Sequence, residues 1–139
     1  MKKKISILLA DDNKYMLDSL STYIETQEDL EVISKVENGR EALELIEKGD
    51  CDIIVLDLSM PEFDGFEVLR QLKIKNIKTP VLIFTNYNEE NHILTVKKMG
   101  ASGYVCKTET PDKLVSAIRK IASGEQFFNN GKVRVANDR

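Results

Sequence analysis

The chain has no tryptophan, a single histidine (His92), two cysteines and three prolines. A lone histidine and two separated cysteines leave no metal cluster of the cysteine–histidine kind. Cys51 opens one apolar run and Cys106 closes another. In parallel strands of about six residues the two would stand roughly 15–20 Å apart, beyond disulfide reach, so both are read as reduced thiols. No apolar run approaches the roughly 18 residues of a membrane span. The opening Met1 and three lysines lead into a strand of only about six residues, which is not a signal peptide. The chain is therefore expected in the cytoplasm, with no membrane partner. It also lacks a charge excess: 20 Lys and Arg against 23 Asp and Glu give −3, no global reason to expect nucleic-acid binding by this segment. Internal repeats and low-complexity segments are absent. What is present is 139 residues, 42% hydrophobic and 31% charged, enough for one domain that buries about two-thirds of its unfolded surface.

The organising stretch is Cys51 to Leu69, CDIIVLDLSMPEFDGFEVL. Ile53, Ile54, Val55 and Leu56 form an unbroken, β-branched apolar run. That is the pattern of a parallel-sheet strand buried on both faces. It ends in Asp57, and an acid at the mouth of a central strand is seldom a packing choice, because an unpaired buried charge is costly. Pro61 and Phe63-Asp64-Gly65 then turn the chain and cap a helix that carries Phe66, Leu69 and Leu72 inward.

The same alternation runs along the whole chain. Lys4 to Ala10 reads as a strand, and Met16, Leu17, Leu20, Tyr23 and Ile24 follow at helical spacing. Leu30 to Val36 is a second strand, and Asn38 with Glu41 resembles a capping box for the helix through Ile46. Thr79 to Phe84 is a fourth strand with its proline at the entry. Asn88 to Met99 is a weaker amphipathic helix, and Gly103 to Cys106 a short fifth strand. Thr110-Pro111 supplies N-cap and first turn for the helix ending before Gly124. Five β-α units in succession predict a doubly wound α/β fold with parallel strands, right-handed crossovers and helices on both faces. Residues 1–124 are read as the domain and 125–139 as a polar tail or linker.

In a sheet ordered 2-1-3-4-5, strands one and three are neighbours, so Asp11, Asp12 and Asp57 converge at one edge. Carboxylates that close need a counter-charge. An all-oxygen set suits a hard divalent ion that keeps several waters, namely Mg²⁺. Thr85 and Lys107, from the fourth and fifth strand ends, add a hydroxyl and an ammonium. Such a constellation suits phosphoryl transfer onto Asp57, with cations and a donor stabilising the spread negative charge. Chemistry in open α/β sheets is expected at this end of the strands.

Asp11-Asp12, Asp57-Leu-Ser-Met-Pro61 with Asp64-Gly65, Thr85, and Tyr104-Val-Cys-Lys107 occur in the order and spacing of a known family. On these residues the chain resembles the response-regulator receiver domains of bacterial two-component systems, over roughly residues 4 to 123. The resemblance implies a flavodoxin-like (CheY-like) fold. It implies Asp57 as phosphoacceptor, Asp12 as a direct Mg²⁺ ligand, Asp11 as one acting mostly through water, and the Ser59 backbone carbonyl as a further ligand. It also implies Lys107 against the phosphoryl group, with Thr85 and Tyr104 as a switch pair. The implied partners are a sensor histidine kinase and, after phosphorylation, a second copy of the chain. Gly100 to Phe128 is similar to the NarL/FixJ (LuxR-type) subfamily, whose receivers precede a helix-turn-helix output domain. No helix-turn-helix is present here, so DNA would be reached only through a domain outside this chain, and residues 129–139 would begin the linker.

Departures from the family pattern are local. Thr108 stands where many receivers have proline, and a non-proline cis bond costs about 2.5–4 kcal/mol, so the cis peptide common there is not assumed. Asn86 replaces a smaller residue beside Thr85, and Ser59 and Tyr87 hold positions that tune dephosphorylation in the family. His92 is read as a surface residue. Two other readings compete with a switch coupled to DNA-binding output. A haloacid-dehalogenase-like phosphatase would need a second aspartate where Ser59 stands, so turnover catalysis is not expected. A stand-alone receiver acting through protein contacts retains every acid and the lysine.

Overall fold

The computed structural model describes residues 3–86 and 90–128. Their elements alternate strictly: β1 (Ile5–Ala10), α1 (Lys14–Ile24), β2 (Leu30–Val36), α2 (Gly39–Glu47), β3 (Ile53–Leu56), α3 (Gly65–Ile74), β4 (Val81–Thr85), α4 (Glu90–Lys98), β5 (Gly103–Cys106) and α5 (Pro111–Ala122). The strands form one parallel sheet in the order β2-β1-β3-β4-β5. The expected fold and strand order are those observed. The Asn88 start expected for the fourth helix lies outside the described residues, as do Tyr87 and 129–139.

Period-two alternation divides the core between the two faces of the sheet. Leu8, Ala10, Ile54, Leu56 and Ile83 point to the side packed by α2, α3 and α4. Ile7, Leu9, Ile53, Val55 and Leu82 point to the side packed by α1 and α5. All four residues of β3 are buried, which accounts for its unbroken apolar run. No helix among the described residues is long and apolar enough to cross a membrane. Cys51 and Cys106 are free thiols.

Polar side chains start the helices where the spacing places them. Asn13, Asn38 and Asp64 each accept a hydrogen bond from the backbone N–H three residues on. Thr110 holds the N-cap position of α5 without a side-chain cap bond, and Pro111 follows it. At the other end of α5 the amides of Gly124 and Glu125 bond back to Ile121 and Lys120 at 3.0 Å each. Gly124 takes φ 101°, the left-handed geometry of a Schellman turn. The turn sends the chain back along β5, where Phe127 bridges Gly103 in parallel.

Candidate functional site at the carboxyl end of the sheet

Register brings the strand ends together. Ala10 lies opposite Leu56, so the residues after them, Asp11 and Asp57, leave the sheet at one level. Thr85 lies opposite Cys106, which puts Lys107 just beyond Thr85 on the other side. The loop after β3 then folds under Asp57: the Gly65 amide bonds Leu58 O at 3.0 Å and the Asp64 carboxylate caps α3. A Cβ at Gly65 would lie 2.6 Å from Asp57 O, so only glycine permits this approach.

Asp11 and Asp57 are buried, and Asp12 is exposed. Lys107 threads between the buried pair, its Nζ 2.5 Å from Asp11 Oδ2 and 3.0 Å from Asp57 Oδ2. Each carboxylate takes a backbone donor on its other oxygen: Asn13 N to Asp11 Oδ1 at 2.9 Å, and Ser59 N to Asp57 Oδ1 at 3.3 Å. Burial pushes the Asp11 carboxyl above its ordinary range, against the lowering effect of Lys107 and the Asn13 amide. Burial alone would lower the Lys107 ammonium, but its bonds to Asp11 and Asp57 outweigh that and hold it above its usual value.

One carboxylate oxygen from each of Asp11, Asp12 and Asp57 lies within 4.8 Å of the others. Three carboxylates face one ammonium, so the cluster retains negative charge that a divalent cation would neutralise. Its donors are all oxygens, the set a hard ion such as Mg²⁺ prefers. Thr85 is 1% exposed, and its Oγ1 has no hydrogen-bond partner among the described residues. A buried hydroxyl left unpaired beside an acidic cluster is a donor in waiting.

The match with the response regulator receiver domain family spans residues 7–119. The chain belongs to that family. It is 35% identical over 124 residues to the nitrate/nitrite response regulator protein NarL of Escherichia coli, covering 89% of this chain and 57% of that protein. A two-component response regulator of the LuxR family from an Aurantimonas species superposes with a TM-score of 0.90 at 29% identity, covering 99% of both chains. The receiver domain of a NarL-type regulator from Mycobacterium tuberculosis gives 0.84 at 25% identity, covering 89% of this chain and 100% of that one. The chain thus spans just over half the length of the curated relatives it matches. Response regulators are signalling proteins, and their receivers hold Mg²⁺ at an acidic pocket of the kind formed here by Asp11, Asp12 and Asp57.

Several features of this receiver were not legible in its sequence. Lys107 was expected beside Asp57; it also holds Asp11, so one ammonium ties the ends of β1, β3 and β5. Tyr104, the partner of Thr85 in the expected switch pair, has its side chain fully buried. No peptide bond is cis among the described residues, Lys107–Thr108 included. His92 is half-buried, with its ring 6.0 Å from that of Phe66, because it lies on the inner flank of α4 and not on an open surface. Arg119, unremarked in the sequence, clamps Asp29 with two bonds of 2.9 and 3.0 Å and joins α5 to the turn before β2. An arginine at helical spacing from apolar neighbours carries no mark of its distant partner.

Proposed function

We propose that this receiver is a phosphorylation switch: Asp57 accepts a phosphoryl group from a sensor histidine kinase, and the product state controls a DNA-binding output through self-association. The observation that carries the reading is the Lys107 ammonium held against Asp57 Oδ2 within the acid cluster, with the unpartnered Thr85 hydroxyl at the end of neighbouring β4. An Asp57 oxygen attacks phosphorus, the P–N bond of a phosphohistidine breaks, and its electron pair leaves with the imidazole. The product is an acyl phosphate. Lys107 moves its contact from the Asp57 carboxylate to the phosphoryl oxygens without leaving Asp11, and Thr85 donates to a second phosphoryl oxygen. Asp12, Asp57, the Ser59 carbonyl and, through water, Asp11 would hold Mg²⁺, which would supply further charge neutralisation.

Intact-mass measurement after incubation with acetyl phosphate tests this. One phosphoryl group is expected per chain with Mg²⁺ present, labile to hydroxylamine, and none in Asp57→Asn. A full mass shift retained in Asp57→Asn would remove Asp57 from the role. Residues 125–139 are proposed as the lead into the output region. A receiver that acts alone through protein contacts would carry the same site.

A further inference from the structure

The two edges of the sheet, β5 and β2, are closed by different means. Along β5 the chain itself returns: Phe127 donates to Ser102 O at 3.0 Å and accepts from Tyr104 N at 2.8 Å. Among the described residues no strand returns along β2, and its outward amides are met one at a time. Leu30 N bonds Gln27 O of the preceding turn at 3.3 Å. Val32 N bonds Oε2 of the Glu25 carboxylate at 2.9 Å. Beyond Val32 the ladder to β1 slips: Ile7 lies opposite Val32 and Leu8 opposite Ser34, so Ile33 bulges out of register and is 39% exposed. Lys35 then sets a charge over the rest of the edge, held by Asp18 at 3.1 Å. Bulges and charges are the means by which sheets keep an edge from pairing with another chain. Val32 is the weak point of this edge, because among the described residues a single exposed side chain meets its donor. Glu25 is also the C-cap of α1, where a negative charge works against the helix dipole. The helix gains nothing from an acid there, whereas β2 does.

We propose that Glu25 guards the β2 edge, and that without its carboxylate β2 pairs with β2 of a second copy of this chain. The occupant follows from the geometry of Val32. A strand residue turns its N–H and C=O to the same side, and the bond to Glu25 shows that for Val32 this side is the outer one. Two copies related by a two-fold axis can then exchange both groups as one antiparallel hydrogen-bonded pair, an isologous contact that closes on itself. Ile33, exposed beside Val32, would be covered in the same contact. The guard does not depend on the phosphoryl site, to which β2 contributes no residue. Glu25 is exposed and belongs to neither core cluster, so its replacement leaves the packing of the sheet in place.

The test compares residues 1–139 of the wild type with Glu25→Ala, which removes the acceptor, and Glu25→Gln, which keeps an amide oxygen in its place. No Mg²⁺ or phosphodonor is added, so association that depends on phosphorylation makes no contribution. Sedimentation velocity over a range of protein concentrations reads association, and NMR exchange of the Val32 amide reads the bond. Wild type and Glu25→Gln are expected to stay monomeric throughout. Glu25→Ala is expected to exchange the Val32 amide about ten-fold faster when dilute, the loss of a charge-assisted bond. As its concentration rises it should move toward the mass of a dimer, with the Val32 amide protected again. Glu25→Ala that stays monomeric overturns the guard, since a mere tie between α1 and β2 would alter exchange alone. Equal association of Glu25→Gln and Glu25→Ala overturns it too, because the acceptor would then be irrelevant. A Glu25→Ala dimer with an unprotected Val32 amide puts the contact elsewhere and is equally fatal.

Discussion

Replacing Thr85 by valine tests whether its hydroxyl is kept for the phosphoryl group. The residue ends β4, is 1% exposed, and has no bond at Oγ1 among the described residues. Valine keeps the β-branched shape and exchanges the hydroxyl for a methyl. A buried hydroxyl without a partner costs about 1–3 kcal/mol. Thr85→Val is therefore expected to stabilise the unphosphorylated protein by about that amount. With a mid-range urea slope of about 2 kcal/mol per molar, the unfolding midpoint should rise by roughly 0.5–1.5 M. Thr85→Ala also loses the γ-methyl, and the resulting cavity offsets most of the gain. Beryllofluoride should close most of the gap. Ligand at 100 times its Kd adds about 2.7 kcal/mol of stability to the wild type. Without the hydroxyl, a charge-assisted bond of about 1.5–3 kcal/mol is missing, and most of that increment is lost. Equilibrium urea denaturation, with and without Mg²⁺ and beryllofluoride, measures all of these. A lower midpoint for Thr85→Val without ligand would mean the hydroxyl is already satisfied. An equal ligand-induced rise in both proteins would mean it does not face the phosphoryl group.

Mg²⁺ binding should suffer more from Asp12→Asn than from Asp11→Asn, because Asp11 already holds the Lys107 ammonium and the Asn13 amide whereas Asp12 is exposed. Calorimetric titration of each variant compares them, and equal losses would contradict the ranking. Gly65→Ala should destabilise the fold by about 2–3 kcal/mol, since the new Cβ meets backbone at Asp57 O (2.6 Å) and Leu58 Cα (2.8 Å). A urea midpoint indistinguishable from wild type would show that the loop under Asp57 can yield.

The sheet was legible because its cause is local. Four apolar residues from Ile53 to Leu56 can be buried on both sides only in a central parallel strand, and each helix start carries its own capping residue at Asn13, Asn38 or Asp64. Asp11, Asp12, Asp57, Thr85 and Lys107 could be assembled from sequence because each sits at a strand end, and strand order alone sends strand ends to one edge. Their mutual distances were not available that way. Whether Lys107 reaches one carboxylate or two depends on how β1, β3 and β5 are staggered, and side-chain patterns do not encode stagger between strands. The inward Tyr104 depends on packing from α4 and β4, which no single segment specifies. The segment after α5 was the hardest to foresee. Glu125 to Phe128 read as a tail because a one-residue bridge has no periodicity, and two adjacent phenylalanines belong to no helical or strand pattern. Only the Schellman turn at Gly124 brings them back to the sheet edge, where β5 offers unpaired backbone groups and a glycine that leaves room for them.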